Sequence, residues 1–185
     1  KCTYNKAYPY YGALGRVKDE INWSDCILTE DSGSGHQMFS KIAELHHGSC
    51  RSAGGKSNIF TCLEKSAGKK MLVIADGAAF GAEMEKIYRL MEMDQSRVSL
   101  YLPESFEWLL LKSGLIRNSE LADILKAPAN YIDSEKYFSW EQYFTDLLIR
   151  LASEHSYMRY SKDKLAPFYL QADNIKKVID AMEAK

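Results

Sequence analysis

One stretch near the middle of the chain decides the fold: Met71-Leu72-Val73-Ile74-Ala75-Asp76. Its five apolar residues are typical of a parallel β-strand that is buried on both faces. The run ends in a carboxylate, and a glycine-containing loop leads from there into a helical pattern. A strand that ends in this way delivers Asp76 to the carboxyl edge of an open α/β sheet, where ligands and metals bind.

The same order of features occurs earlier in the chain. The mostly apolar residues 26–29 are followed by Glu30 and Asp31, then by a Gly/Ser loop and a second helical pattern. Two carboxylates on neighbouring strands suffice to hold one Mg²⁺, which prefers oxygen ligands and keeps several waters. Glu30 and Asp76 are therefore predicted to form a cation site. The alternative is that each acid caps the helix after it, because helix N-termini favour negative charge.

Strand and helix signals alternate through the first hundred residues. Predicted strands cover 25–30, 49–52, 71–75 and 97–102, and predicted helices cover 37–46, 58–65 and 83–93. This alternation predicts an α/β fold with a four-stranded, mainly parallel sheet flanked by helices in Rossmann-like layers. Beyond Pro103 helical patterns follow one another, at 105–113, 119–125, 140–155, 160–169 and 175–182. We predict an aromatic N-terminal segment at 1–23, an α/β domain at 24–112 and a helical extension at 113–185 packed on it.

Composition excludes some classes of protein. The 185 residues carry a net charge of −1, so no global charge draws the chain to nucleic acid or membrane. No apolar run approaches the ~18 residues of a membrane span, and no signal-peptide pattern opens the sequence. The four cysteines have no CxxC spacing, which argues against a zinc knuckle. The apolar surroundings of Cys26 and Cys62 favour a reducing compartment, and we expect a cytoplasmic protein without membrane contact.

Short motifs around the two acids resemble a known family. Glu30 after an apolar strand, followed later by Asp76-x-Ala78-x-x-Gly81, resembles the Toprim (topoisomerase–primase) domain, whose pattern is a strand-end Glu and a later Asp-x-Asp-x-x-Gly. The element Gly54-Gly55-Lys56-Ser57-Asn58 is similar to one in Toprim-like proteins found with ABC-type ATPases in phage-defence systems. Two later elements are also similar to that subgroup: Glu104-Ser105-Phe106-Glu107 and Tyr160-Ser161-Lys162-x-x-Leu165.

The resemblance implies a function. A Toprim-like domain would bind Mg²⁺ through Glu30 and Asp76 and act on phosphodiester bonds of nucleic acid, as a nuclease does, beside an ABC-type ATPase. Lys56 would belong to the catalytic set, and it would neutralise phosphate charge together with Arg51.

One residue departs from the family pattern. Ala78 stands where the family has its second Asp. Asp31 or Glu83 would then have to complete the metal site, and we predict Asp31 as the third ligand. Whether the chain is an enzyme stays open for the same reason. A catalytically degenerate interaction or regulatory module is the alternative.

The glycine-rich segment permits a further interpretation. Gly54, Gly55, Lys56 and Ser57 are predicted to cradle a phosphate or a nucleotide, because backbone N–H groups at a helix N-terminus attract anions. A true P-loop would need glycine at position 50, where the chain has Cys50. A tight turn with a Ser or Asn helix cap explains the same residues without a ligand.

Overall fold

The structure is a computed structural model that describes residues 21–23, 25–77, 80–93, 97–133 and 135–183. The chain divides into two compact units between Leu102 and Pro103. The sequence places the boundary after residue 112, so the helix predicted at 105–113 belongs to the second unit instead. Residues 1–20 of the predicted N-terminal segment lie outside the described residues, and so does Ala78.

The first unit contains the predicted four-stranded sheet. Its strands are β1 (Cys26–Thr29), β2 (Ser49–Ser52), β3 (Met71–Ile74) and β4 (Val98–Tyr101). The order across the sheet is β2-β1-β3-β4, and every neighbouring pair is parallel. The sequence-based fold class is therefore confirmed.

Helices of the first unit cover both faces of the sheet. They are α1 (Ser34–Leu45), α2 (Ile59–Glu64) and α3 (Met84–Met93). On one face, Leu28 and Val73 pack with Ile59 of α2 and Ile87 of α3 in a fully buried cluster. Side chains alternate along a strand, so Thr29 points to the opposite face. A contact from Thr29 to His36 shows that α1 lies there.

The strand order creates a topological switch point between β1 and β3. The chain leaves β1 through the crossover helix α1 and enters β2 on one side of β1. It then returns through the crossover helix α2 and enters β3 on the other side of β1. The two crossovers run on opposite faces, and a crevice opens where they diverge at the carboxyl ends of the strands. Open α/β sheets bind their ligands in this crevice.

The second unit is helical, as predicted. Its helices are α4 (Phe106–Lys112), α5 (Leu121–Lys126), α6 (Trp140–Ala152) and α7 (Ala172–Glu183). The hydroxyls of Ser105 and Ser139 cap α4 and α6 by accepting backbone N–H groups of the first turn. None of the helices in the described parts of the chain combines the length and apolar character that a bilayer crossing requires.

The prediction of a helix at 160–169 is wrong. Only Pro167–Leu170 forms a short 3-10 turn in this stretch. Proline disfavours helical backbone in the residue before it, and Ala166 is extended, with φ −63° and ψ 146°. Tyr160 and Leu165 are nonetheless buried, which accounts for the apolar signal.

Stability should fall at alkaline pH because of a buried tyrosine. Tyr169 is fully buried, its hydroxyl donates to the carbonyl of Met158 at 2.7 Å, and burial raises the pKa of Tyr169 to about 12. Above the ordinary tyrosine pKa of about 10, the unfolded chain binds fewer protons than the folded one, so stability is lost as the pH rises from about 10 to about 12. In urea titrations across this window, we expect Tyr169 to contribute about 2–3 kcal/mol to the loss of stability.

The Tyr169→Phe variant is the control for this prediction. It removes the titrating group, so its loss across the same window should be smaller. Tyr101 and Tyr143, whose pKa values are also raised by burial, contribute to the loss that remains. An equal loss in the variant and the native protein would contradict the assignment to Tyr169.

Candidate functional site

The structure brings Glu30 and Asp76 together at the carboxyl edge of the sheet. Glu30 follows β1 directly, and its backbone N–H donates to the carbonyl of Ile74 at 3.2 Å. Its carboxylate reaches the end of the neighbouring strand β3, where Oε2 accepts the backbone N–H of Asp76 at 3.3 Å. Both acids are half-buried. They lie between β1 and β3, which is the switch point of the sheet.

The donor chemistry of this pair fits a hard divalent cation. Carboxylate oxygens are the ligands that Mg²⁺ prefers, and one or two of them are enough because the ion keeps water in its shell. Among the described residues, no three His, Cys, Asp or Glu side chains are grouped for metal binding. The cation role of Glu30 and Asp76 thus stays a prediction from the sequence, and an ion held there would stabilise negative charge on a phosphate or activate water.

Asp31 and Glu83, the predicted substitutes for the missing acid, have different surroundings. Asp31 is exposed, and its Oδ1 accepts the N–H of Gly33 at 3.1 Å in a turn before α1. Glu83 lies just before α3, and its Oε2 is buried without a hydrogen-bond partner in the described part of the chain. The Nζ of Lys86 is 3.8 Å from that oxygen, too far for a hydrogen bond.

The loop at Gly54 and Gly55 is anchored to Glu30. Gly55 has φ 128° and ψ 149°, a conformation open essentially to glycine alone, and its N–H donates to the carbonyl of Glu30 at 2.7 Å. The N–H of Gly54 donates to Ser52 Oγ at 3.0 Å. Both glycine N–H groups thus serve protein acceptors. An anion cradle in this loop would consequently depend on Lys56 and on N–H groups beyond the glycines.

The predicted helix cap in this loop is confirmed in its position, Asn58, but the capping hydrogen bond is not formed. The N-cap position of α2 is Asn58, and it makes no side-chain capping bond. Its amide donates backwards to the carbonyls of Ala53 and Gly54, both at 3.2 Å, and so closes the loop.

Lys56 and Ser57 follow the anchored glycines in a one-turn 3-10 helix, Lys56–Asn58. Lys56 is half-exposed and Ser57 is exposed. No carboxylate of the described residues forms an ion pair with Lys56. Because Gly55 is bonded to Glu30, the chain places Lys56 beside the acid-bearing edge, where an anion could meet its charge.

Arg51 does not take the role predicted for it. Its guanidinium donates to Ser66 Oγ in a short contact, and Nη2 lies 3.9 Å from the sulfur of Met71. Met71 begins β3 and Ser66 precedes it, so the side chain is directed toward the amino end of the sheet. Arg51 therefore cannot neutralise a phosphate at Glu30 from this position.

A polar network that sequence reasoning missed lies next to Glu30. The hydroxyl of Thr29 is 2.8 Å from His36 Nδ1 and donates to the carbonyl of Asp31 at 2.9 Å. His36 Nε2 lies 3.3 Å from Ser40 Oγ, and Nδ1 lies 3.6 Å from the sulfur of Cys50. Burial raises the pKa of the Cys50 thiol, which disfavours a reactive thiolate. The sequence signals were a threonine between an apolar strand and its terminal acid, and a histidine directly after the Gly/Ser loop.

Comparison of the chain with models of known protein families, with curated proteins and with solved structures finds no match. The fold and the site therefore define the class by themselves. The first unit is an α/β domain with a parallel sheet, and the switch point of that sheet carries two acidic residues.

Proposed function

We propose that the first unit is a Toprim-like domain that binds Mg²⁺ and acts on phosphodiester bonds of nucleic acid. The observation that supports this function is the contact between the carboxylate of Glu30 and the N–H of Asp76 at the switch point. The sequence resemblance suggests the reaction class. The sheet edge that carries both acids is where we propose that a cation and a phosphate would meet. By the same resemblance, the partner is an ABC-type ATPase, in a system of phage defence.

The residues would divide the work as follows. Glu30 and Asp76 would hold the cation, which supplies Lewis-acid stabilisation of the charge on the phosphate. Lys56 would neutralise a phosphate oxygen from the loop anchored to Glu30. A charge that is placed before the reaction stabilises the transition state without later reorganisation.

A cleavage assay tests this function. The native protein is incubated with single- and double-stranded DNA and RNA, with Mg²⁺, with Mn²⁺ and with a chelator. We expect metal-dependent cleavage that falls at least about a hundredfold in Glu30→Gln and in Asp76→Asn, since each change removes a cation ligand. Arg51→Gln is the matched control, because Arg51 points to the opposite end of the sheet.

The metal ligands can be separated by calorimetry. Asp31→Asn keeps the oxygen that accepts the Gly33 N–H and removes only the charge. We expect this change to weaken Mn²⁺ binding less than Glu30→Gln does. Metal-dependent cleavage that is unchanged in both Glu30→Gln and Asp76→Asn would contradict the proposed site.

A second candidate is an interaction or regulatory module on the same fold. It is favoured by Ala78, which removes an acid that the family pattern requires. This candidate predicts binding to the ATPase partner without cleavage. The partner interaction would then survive Glu30→Gln unchanged. A nucleotide-binding domain that uses Gly54–Asn58 has less support, because the N–H groups of both glycines are already bonded within the protein.

A further inference from the structure

Glu30 is restrained more than an ordinary strand-end residue. Its N–H donates to Ile74, and its carbonyl accepts the N–H of Gly55 at 2.7 Å. Its carboxylate accepts the N–H of Asp76. A side chain that is already held loses little freedom when it binds a ligand, and this preorganisation strengthens binding.

The residues on either side of Glu30 are also joined. Thr29 is buried, and its hydroxyl donates to the carbonyl of Asp31 at 2.9 Å, so the turn closes around Glu30. The carbonyl of Arg51 is a more distant acceptor, at 3.4 Å. A hydroxyl has one proton, and here the proton is directed to Asp31. With that proton directed to Asp31, we assign His36 the tautomer in which Nδ1, 2.8 Å from the Thr29 hydroxyl, carries a proton and donates it to Thr29.

From this geometry we propose that His36 is a positioning residue for Glu30 and acts through Thr29. The ring bridges two elements: its Nε2 contacts Ser40 within α1, and its Nδ1 holds the last hydroxyl of β1. The bridge fixes the turn from which the Glu30 carboxylate extends to Asp76. The value of this positioning for cation binding rests on the proposed function, whereas the positioning itself does not.

Two matched pairs of variants in the full chain test the proposal. His36→Asn keeps an N–H donor near the place of Nδ1, whereas His36→Gln moves it toward the place of Nε2. Thr29→Ser keeps the hydroxyl, whereas Thr29→Val replaces it with a methyl group of similar size. A merely structural role for His36 would not distinguish Asn from Gln by the position of one donor.

The amide of Asp76 is the probe, because its proton is bonded to the Glu30 carboxylate. Its hydrogen exchange, followed by NMR without metal, should become about tenfold faster in His36→Gln and Thr29→Val, the equivalent of one lost hydrogen bond. In His36→Asn and Thr29→Ser the change should stay below about twofold. The amide of Met71 in β3, which donates to the carbonyl of Arg97 at 2.8 Å at the other end of the sheet, serves as the internal control and should exchange equally in all four variants.

Three results of the exchange experiment would contradict the proposal. Equal rates at Asp76 in His36→Asn and His36→Gln would overturn it. So would an unchanged rate in Thr29→Val, or an increase at Met71 that matches the increase at Asp76. A parallel Mn²⁺ titration should show affinity about tenfold weaker in His36→Gln than in His36→Asn. If the native protein binds no Mn²⁺, the proposed function fails, and the exchange rates still decide the positioning.

Discussion

Replacing Phe144 by alanine should destabilise the second unit by about 3–5 kcal/mol. Phe144 has no exposed surface, and it lies in the middle of α6. Its ring contacts those of Trp140 and Tyr143, with centroids 6.2 Å and 5.4 Å away. Truncation removes this buried apolar surface and leaves a cavity. The surrounding side chains are closely packed, so they relax only partly into it. Urea unfolding followed by the fluorescence of Trp108 and Trp140 measures the loss.

A nearby phenylalanine supplies the matched control. Phe138 is 93% exposed, against 0% for Phe144. Its truncation removes almost no buried surface, so Phe138→Ala should change stability by less than about 0.5 kcal/mol. The two variants delete the same atoms, and the difference between them isolates burial. Comparable losses in both would show that α6 does not pack as described.

The predicted fold followed from signals that depend on local sequence. The strands β1 and β3 lie inside the sheet and are apolar except for Thr29, so both were evident. The strand β2 is an edge strand with half-exposed side chains, and its sequence Ser49–Ser52 was correspondingly weak. The false helix at 160–169 has another cause. Apolar residues there are buried singly by tertiary contacts, and periodicity does not distinguish such burial from one face of a helix.

The candidate site was predictable only as far as strand geometry reaches. The carboxyl ends of parallel strands share an edge, so the proximity of Glu30 and Asp76 followed once both strands were recognised. The direction of Arg51 depends on Ser66, which is distant in sequence and carries no signal of its own. The sequence also could not predict that the N–H groups of Gly54 and Gly55 bind acceptors within the protein. Glycine permits many backbone conformations, and tertiary partners select one of them.

The two late motifs that resemble the Toprim-like subgroup meet in the second unit. Glu107 of α4 is 3% exposed, and its Oε1 accepts the hydroxyl of Tyr160 at 2.8 Å. The Nζ of Lys162 is 3.8 Å from the same oxygen and also pairs with Glu141. A buried carboxyl group is tolerated only where donors or cations compensate for lost water. Tyr160 therefore satisfies Glu107 by a hydrogen bond, Lys162 adds a compensating charge at a longer distance, and both tie the stretch after α6 to α4.

Removing both partners of Glu107 should be among the most damaging changes to this unit. The double variant Tyr160→Phe/Lys162→Met keeps similar side-chain volume and should lose about 3–5 kcal/mol, because it leaves a buried acid without compensation. Adding Glu107→Leu should recover most of that loss, since apolar groups of similar size can replace a buried polar cluster at little cost. Urea unfolding of the double and triple variants measures both steps. Stability can recover in the triple variant only if the loss in the double variant comes from the uncompensated carboxyl group of Glu107. A triple variant that is no more stable than the double would assign the loss to packing instead.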